Sequence, residues 1–177
     1  MSESKHREIV LAGTGGQGLI LSAVLLAEAA ILEGKTVVQT QSYGIASRGG
    51  LSVAEVILDQ GEILFQQVQQ PDCILALSEE AVKAYEHWAG KGVPVFYDST
   101  LASPRQGEHF FGHPFTRLAS EMGGVKSVNV LALATMVAAT GLVAPESLQQ
   151  LIRNRFKGAA VDLNLKMLAA GLDLAIR

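Results

Sequence analysis

Apolar and polar positions divide the chain into short dense runs and longer helix-forming stretches. Ile9–Ala12 is apolar throughout and predicts a first strand buried on both faces, which needs no alternation. It leads straight into Gly13-Thr14-Gly15-Gly16-Gln17-Gly18. Leu19–Leu32 then reads as a helix, with Gly34 as its C-terminal stop. Lys35–Gln41 is rich in β-branched residues and predicts a second strand. Together these make one βαβ unit, expected to be parallel and right-handed.

Leu51–Leu58 reads as a third strand, and the polar Ser52 and Glu55 place it nearer an edge. No helix-length segment separates strands two and three. They are expected to be antiparallel neighbours, or joined by an unusual crossover. Asp72–Leu77 is a fourth strand, and Ser78-Glu79-Glu80 opens a helix through Trp88. Val93–Tyr97 is a fifth strand, whose Pro94 needs an early or edge position. Ser99–Pro114 is turn-rich and reads as a surface loop. Val128–Thr140 predicts a strongly apolar helix, Pro145 starts another that ends near Phe156, and Asp162–Ile176 makes a last amphipathic helix. The order predicts an α/β protein with a single domain over residues 1–177. Its architecture is expected to be a three-layer Rossmann-like sandwich with C-terminal helices. The sheet is mostly parallel, with five or more strands and at least one antiparallel strand.

Composition narrows the class. The 177 residues are 49% hydrophobic and 18% charged, which suits a packed core and not a disordered chain. The formal charge of −3 shows no basic stripe for nucleic acid and no pull toward an anionic membrane. The longest apolar run, Val128–Ala144, is short for a membrane span and carries Asn129, Thr135 and Thr140. Cys73 is the only cysteine. It excludes an internal disulfide, suits a reducing, cytoplasmic setting, and cannot alone ligate an iron–sulfur cluster. Its place in a buried strand makes it packing, not a nucleophile. His109 and His113 sit in a loop without further ligands at metal spacing. Gln66–Gln70 reads as a solvated linker before Pro71, and Asn129 as a satisfied core amide, a cap or a site-lining group.

The first glycine loop has the G-x-G-x-x-G spacing of a dinucleotide site at Gly13, Gly15 and Gly18. Such a turn at a helix N-terminus offers backbone N–H groups and a positive dipole end to a phosphate. The dinucleotide fingerprint also needs an acidic residue at the end of the second strand. Here that strand ends in Gln39-Thr40-Gln41, and no Asp or Glu lies between Glu33 and Glu55. NAD or NADP binding is thereby weakened. A tight turn with no ligand, another phosphate-bearing ligand and a subunit contact all remain open.

Ser42-Tyr43-Gly44-Ile45-Ala46-Ser47-Arg48-Gly49-Gly50 follows strand two, on the rim where α/β sheets bind ligands. Arg48 brings a fork of donors suited to phosphate or carboxylate, or to a structural ion pair. The two glycine motifs together resemble the gamma subunit of 2-oxoacid:ferredoxin oxidoreductases. Asn129 in its apolar helix, Val161–Lys166 and Ala170-Gly171 extend the resemblance over the whole chain. The sequence departs from that family at Ile45 and Ala46, where a proline and an acidic residue are usual. Any role of that acid is not carried over.

The resemblance implies a multi-subunit enzyme that decarboxylates a 2-oxoacid such as pyruvate, 2-oxoglutarate or ketoisovalerate. The acyl group passes to coenzyme A and the electrons to ferredoxin. Thiamine diphosphate, Mg and iron–sulfur clusters are then expected on the alpha, beta and delta (ferredoxin-like) partner subunits, with none bound by this chain alone. No catalytic or metal residue is assigned here. Gly13, Gly15, Gly16, Gln17, Gly18, Tyr43, Gly44, Arg48, Gly49 and Gly50 are the candidates for coenzyme A phosphates or a subunit contact. A free-standing NAD(P)-binding protein and a ligand-free assembly module are the alternatives, and an isolated chain could pair as a homodimer through its uncovered apolar face.

Overall fold

The computed structural model describes residues 6–43 and 50–175. It holds a six-stranded sheet in the order β2-β3-β1-β4-β5-β6. The strands are β1 (Arg7–Thr14), β2 (Thr36–Tyr43), β3 (Leu51–Asp59), β4 (Cys73–Ala76), β5 (Val95–Asp98) and β6 (Phe110–His113). The helices are α1 (Leu19–Leu32), α2 (Glu79–Tyr85), α3 (Phe115–Glu121), α4 (Val128–Thr140), α5 (Pro145–Arg155) and α6 (Ala159–Leu174). A 3₁₀ segment, Glu86–Lys91, extends α2.

Strands β1, β4, β5 and β6 are parallel neighbours. Strand β3 alone runs against its neighbours and pairs with both β1 and β2. Strands β1 and β2 run parallel, as expected, with β3 inserted between them. Strand β3 lies one strand in from the edge, which β2 forms. Its Glu55 is accommodated because the Thr40 hydroxyl donates to its carboxylate at 3.2 Å.

Side chains of β1 alternate between two buried layers. Ile9 and Leu11 join α1, α4, α5 and α6 in the larger core. Val10 and Ala12 face the smaller layer with α2, where Ala81 and Val82 pack. Both faces being covered accounts for the unbroken apolar run of β1. Ser78 caps α2 by accepting from the N–H of Ala81 at 3.1 Å. Pro145 occupies the first turn of α5, where its missing N–H costs nothing.

The stretch Ser99–Pro114, expected to be loop, contains the edge strand β6. Its strand character comes from pairing with β5, as the N–H of Val95 donates to the His109 carbonyl at 2.8 Å. Pro94 precedes β5, and its carbonyl accepts from Ile74 at 3.0 Å, so a proline is tolerated beside an interior strand. The last helix begins at Ala159, three residues before the sequence suggested. The four glutamines of Gln66–Gln70 are exposed, as in a linker, but Val68 is half-buried against the smaller core and the N–H groups of Gln69 and Gln70 donate to Glu8 at 2.6 and 2.7 Å. No helix among the described residues is long and apolar enough to cross a membrane.

Candidate functional site

The glycine loop sits where β1 ends and α1 begins, at the C-terminal ends of the parallel strands. Gly16 and Gly18 hold φ of 87° and 74°, a left-handed conformation that side chains resist. Thr14 and Gln17 shape the loop from within. The N–H of Thr14 donates to the Gln17 side-chain oxygen at 2.7 Å. The Gln17 amide nitrogen donates to the Leu77 carbonyl, just past β4, at 2.7 Å. Gln17 therefore bridges the crevice between β1 and β4, where the chain winds one way through α1 and the other through α2. That switch point is where an open α/β sheet ordinarily takes a dinucleotide.

Behind the loop, Asn129 at the start of α4 is buried, and its side-chain amide donates to the Gly18 carbonyl at 3.2 Å. The Ser22 hydroxyl donates to the Asn129 carbonyl at 3.3 Å. In front, Gly15 and Gly16 are exposed, and a Cβ on either would meet nothing within 4 Å. Among the described residues no hydrogen bond takes up their N–H groups. The loop is thus pinned from below and open above, next to the positive end of α1.

The register of β3 brings Tyr43 and Gly50, which flank the second glycine segment, to the same rim. Ser52 pairs with Gly13 on one side and with Tyr43 on the other. With strands about 4.8 Å apart, the backbones of Gly13 and Tyr43 lie roughly 10 Å apart. Gly50 enters β3 at this end and is half-buried. Gly44, Arg48 and Gly49 lie outside the described residues, as do Ile45 and Ala46.

Residues 8–174 match the family model described as pyruvate ferredoxin/flavodoxin oxidoreductase. The chain belongs to this oxidoreductase family. It is 39% identical to 2-oxoglutarate synthase subunit KorC of Archaeoglobus fulgidus over 170 residues, covering 96% of this chain and 88% of that one. Its fold matches the keto/oxoacid ferredoxin oxidoreductase gamma subunit from Geobacter sulfurreducens with a TM-score of 0.83 and 37% identity, covering 96% and 98% of the two chains. It also matches the 2-oxoglutarate:ferredoxin oxidoreductase from Magnetococcus marinus with 2-oxoglutarate, coenzyme A and succinyl-CoA bound, with a TM-score of 0.86. Identity there is 23%, and the match covers 98% of this chain and 32% of that one, so the likeness is one of fold. The protein is a subunit of a multi-subunit 2-oxoacid:ferredoxin oxidoreductase.

In this oxidoreductase subunit the free NAD(P) reading is not favoured. Gln17 occupies the crevice such a cofactor would enter, and β2 closes on Gln41, Ser42 and Tyr43 without an acid. Among the described residues no three His, Cys, Asp or Glu side chains gather as a metal site. Cys73 is fully buried on β4, and burial pushes its thiol up to about 12. His113 ends β6, and burial lowers its affinity for a proton.

The sequence did not point to the flank formed by α3 and the start of α4. Asp98, fully buried at the end of β5, accepts from the N–H of Thr100 at 3.0 Å. It also accepts from the N–H and hydroxyl of Thr116 at 3.1 and 2.5 Å. These bonds fix the start of α3 beside Gly16, where Thr116, Leu101 and Lys126 line a common cleft. No local motif joins residues so far apart in the chain.

Proposed function

We propose that the chain is the gamma subunit of a 2-oxoglutarate:ferredoxin oxidoreductase, and that its glycine rim helps to hold coenzyme A. The carrying observation is the loop itself. Gly15 and Gly16 are exposed just before α1, and among the described residues no hydrogen bond takes up their N–H groups, while Gln17 and Asn129 hold the backbone in place from behind. Preorganised amides at a positive helix end suit the pyrophosphate of coenzyme A. The fold relative from Magnetococcus marinus has coenzyme A bound. Tyr43, Gly44, Arg48, Gly49 and Gly50 are the further candidates, Arg48 being the residue type whose donor fork suits a phosphate.

The alpha, beta and delta subunits carry the thiamine diphosphate, Mg and iron–sulfur clusters in this reading, and ferredoxin is reached through them. When bound, coenzyme A supplies the thiol that accepts the acyl group. This chain binds and orients, and donates hydrogen bonds from its loop backbone. The choice of 2-oxoglutarate rests on the similarity to KorC of Archaeoglobus fulgidus.

The test uses the assembled enzyme carrying Gly15→Val or Arg48→Gln. Space above Gly15 makes the valine variant compatible with the fold. Its side chain would stand where the pyrophosphate lies. The Michaelis constant for coenzyme A should rise about ten-fold or more in both variants, with that for 2-oxoglutarate unmoved. An unchanged constant for coenzyme A, with subunits assembled, rejects the reading. Ferredoxin reduction driven by pyruvate in preference to 2-oxoglutarate rejects the substrate assignment alone.

A further inference from the structure

The two edges of the sheet are built differently. Strand β6 closes one side with four residues, Phe110–His113. So short an edge offers little ladder to another chain. Strand β2 closes the other side with eight, Thr36–Tyr43. Its sequence, Thr-Val-Val-Gln-Thr-Gln-Ser-Tyr, holds no charge and no proline. Its register against β3 runs unbroken from Thr36 opposite Asp59 to Tyr43 opposite Ser52, so no bulge turns the edge away. Among the described residues no strand lies on its outer side. The side chains of Thr36–Ser42 are all half-buried or exposed. Proteins ordinarily blunt a long row of unpaired backbone groups with charge, proline, a bulge or brevity. Strand β2 has none of these devices.

The chemistry of β2 fits a particular occupant, a second β2. A two-fold axis normal to the sheet runs two copies of an edge strand antiparallel and keeps their faces matched. Centred on Gln39, it sets Thr36 opposite Ser42, Val37 opposite Gln41 and Val38 opposite Thr40 of the second copy. No pair brings like charges together. Gln39 meets its own equivalent. Its amide nitrogen donates to the Thr40 carbonyl at 3.1 Å, and its side-chain oxygen has no partner among the described residues. Two such amides are self-complementary, since each offers both donor and acceptor. Helix α1 packs on β2 and β3, and Ile31 and Leu32 at its end, just before β2 begins, are 58% and 49% exposed. They add apolar surface to the same side of the molecule.

We propose that β2 is a self-association edge. Two copies of this chain join through an antiparallel β2–β2 ladder centred on Gln39, so that two six-stranded sheets become one continuous sheet. Backbone hydrogen bonds supply the affinity, and the uncharged, symmetric pairing of side chains supplies the choice of partner. The proposal does not depend on what the glycine loop binds.

Sedimentation velocity of the full chain tests it, with Gln39→Lys and Gln39→Glu beside the parent. The parent should sediment as a dimer. Each variant alone sets like charges face to face at the axis, and its dimer dissociation constant should rise about five-fold or more. An equimolar mixture sets Lys opposite Glu and should restore the dimer as a one-to-one pair. Hydrogen exchange on the parent needs no variant. Amides of β2 should gain protection as concentration rises through the dimer range, while those of β6 should not. A monomeric parent overturns the proposal, as does a variant that dimerises as tightly as the parent. So does a mixture no tighter than either variant alone, or β2 exchange that ignores concentration.

Discussion

The side-chain amide of Asn129 donates to the carbonyl oxygen of Gly18 and also fills the space that a Cβ at Gly18 would need. The hydrogen bond is 3.2 Å long, and an added Cβ would come within 2.8 Å of the Asn129 amide carbon. Gly18 is also held at φ 74°. A glycine is therefore required twice at this position, for its backbone and for its bareness. The contact ties the N-terminus of α4 to the N-cap of α1, two segments separated by more than a hundred residues.

Gly18→Ala should cost about 2–4 kcal/mol, from left-handed strain together with overpacking against the amide. Asn129→Ala should cost about 1–3 kcal/mol, because it leaves the Gly18 carbonyl without its donor. The double variant should be less damaged than the sum of the two, since removing the amide clears the space for the methyl group. Urea denaturation of the four proteins measures this coupling. Strict additivity would mean that the clash is relieved elsewhere.

Gln17 acts on the other flank of the loop. Gln17→Leu retains bulk but loses the bonds to the Thr14 N–H and the Leu77 carbonyl, and should cost about 1–3 kcal/mol. Gln17→Glu keeps an acceptor for Thr14 but sets a carboxylate against the Leu77 carbonyl. It should be destabilised at neutral pH and recover partly in acid, where the protonated group again donates. Hydrogen exchange at Thr14 reports the bond directly. Equal protection in Gln17→Leu and the parent would exclude the bridge as a loop anchor.

Much of this fold was legible in local pattern, and the exceptions have a common cause. Strand β1 announced itself because both faces are buried. Helix α4 did so because it is apolar all round and ends at Gly141, whose φ is 65°. Strand β6 was hidden, since Phe110 and Phe111 are followed by Gly112, which reads as a turn. Gly112 is bare because the Tyr97 ring lies against it, within 2.5 Å of an added Cβ. Helix α3 carries no local cap and is fixed by Asp98, eighteen residues before Thr116. The glycine loop was visible as a motif, but its meaning lay in Leu77 and Asn129, which no spacing rule connects to it. The Lys126 cleft was likewise invisible, because Gly16, Leu101 and Lys126 meet only in the folded chain.

His6 gives stability a dependence on pH. Its Nδ1 lies 2.8 Å from Asp59 and its Nε2 lies 3.1 Å from Glu8, joining the start of β1 to the end of β3. Hydrogen bonding to Asp59, and then to Glu8, raises its affinity for a proton above the ordinary histidine value. The folded form thus binds the proton more tightly than the unfolded form. The added stability is fully present below about pH 6.5 and is lost as pH rises through the raised folded-state value. Tm should therefore fall between about pH 6 and pH 8, and fall less in His6→Gln. Parallel Tm profiles for the two proteins would remove His6 as the cause.

Gly171 is where α6 comes nearest to α4. A Cβ there would run into the carbonyl oxygen of Leu131 and approach the Cβ of Ala134 to 2.6 Å. The Thr135 hydroxyl is shared between the carbonyls of Leu131 and Gly171, at 3.1 and 2.9 Å. A backbone carbonyl cannot swing aside as a long side chain can, so Gly171→Ala must push the helices apart. The expected cost is about 1–3 kcal/mol, seen as a lower Tm and an earlier urea midpoint. The effect should extend beyond stability. Helix α4 carries Asn129 in its first turn, and Asn129 holds the glycine loop. Gly171→Ala in the assembled enzyme should therefore also raise the Michaelis constant for coenzyme A, although Gly171 itself lies in the core. A stability loss with that constant unchanged would show that α4 keeps its N-terminal position when its packing on α6 is loosened.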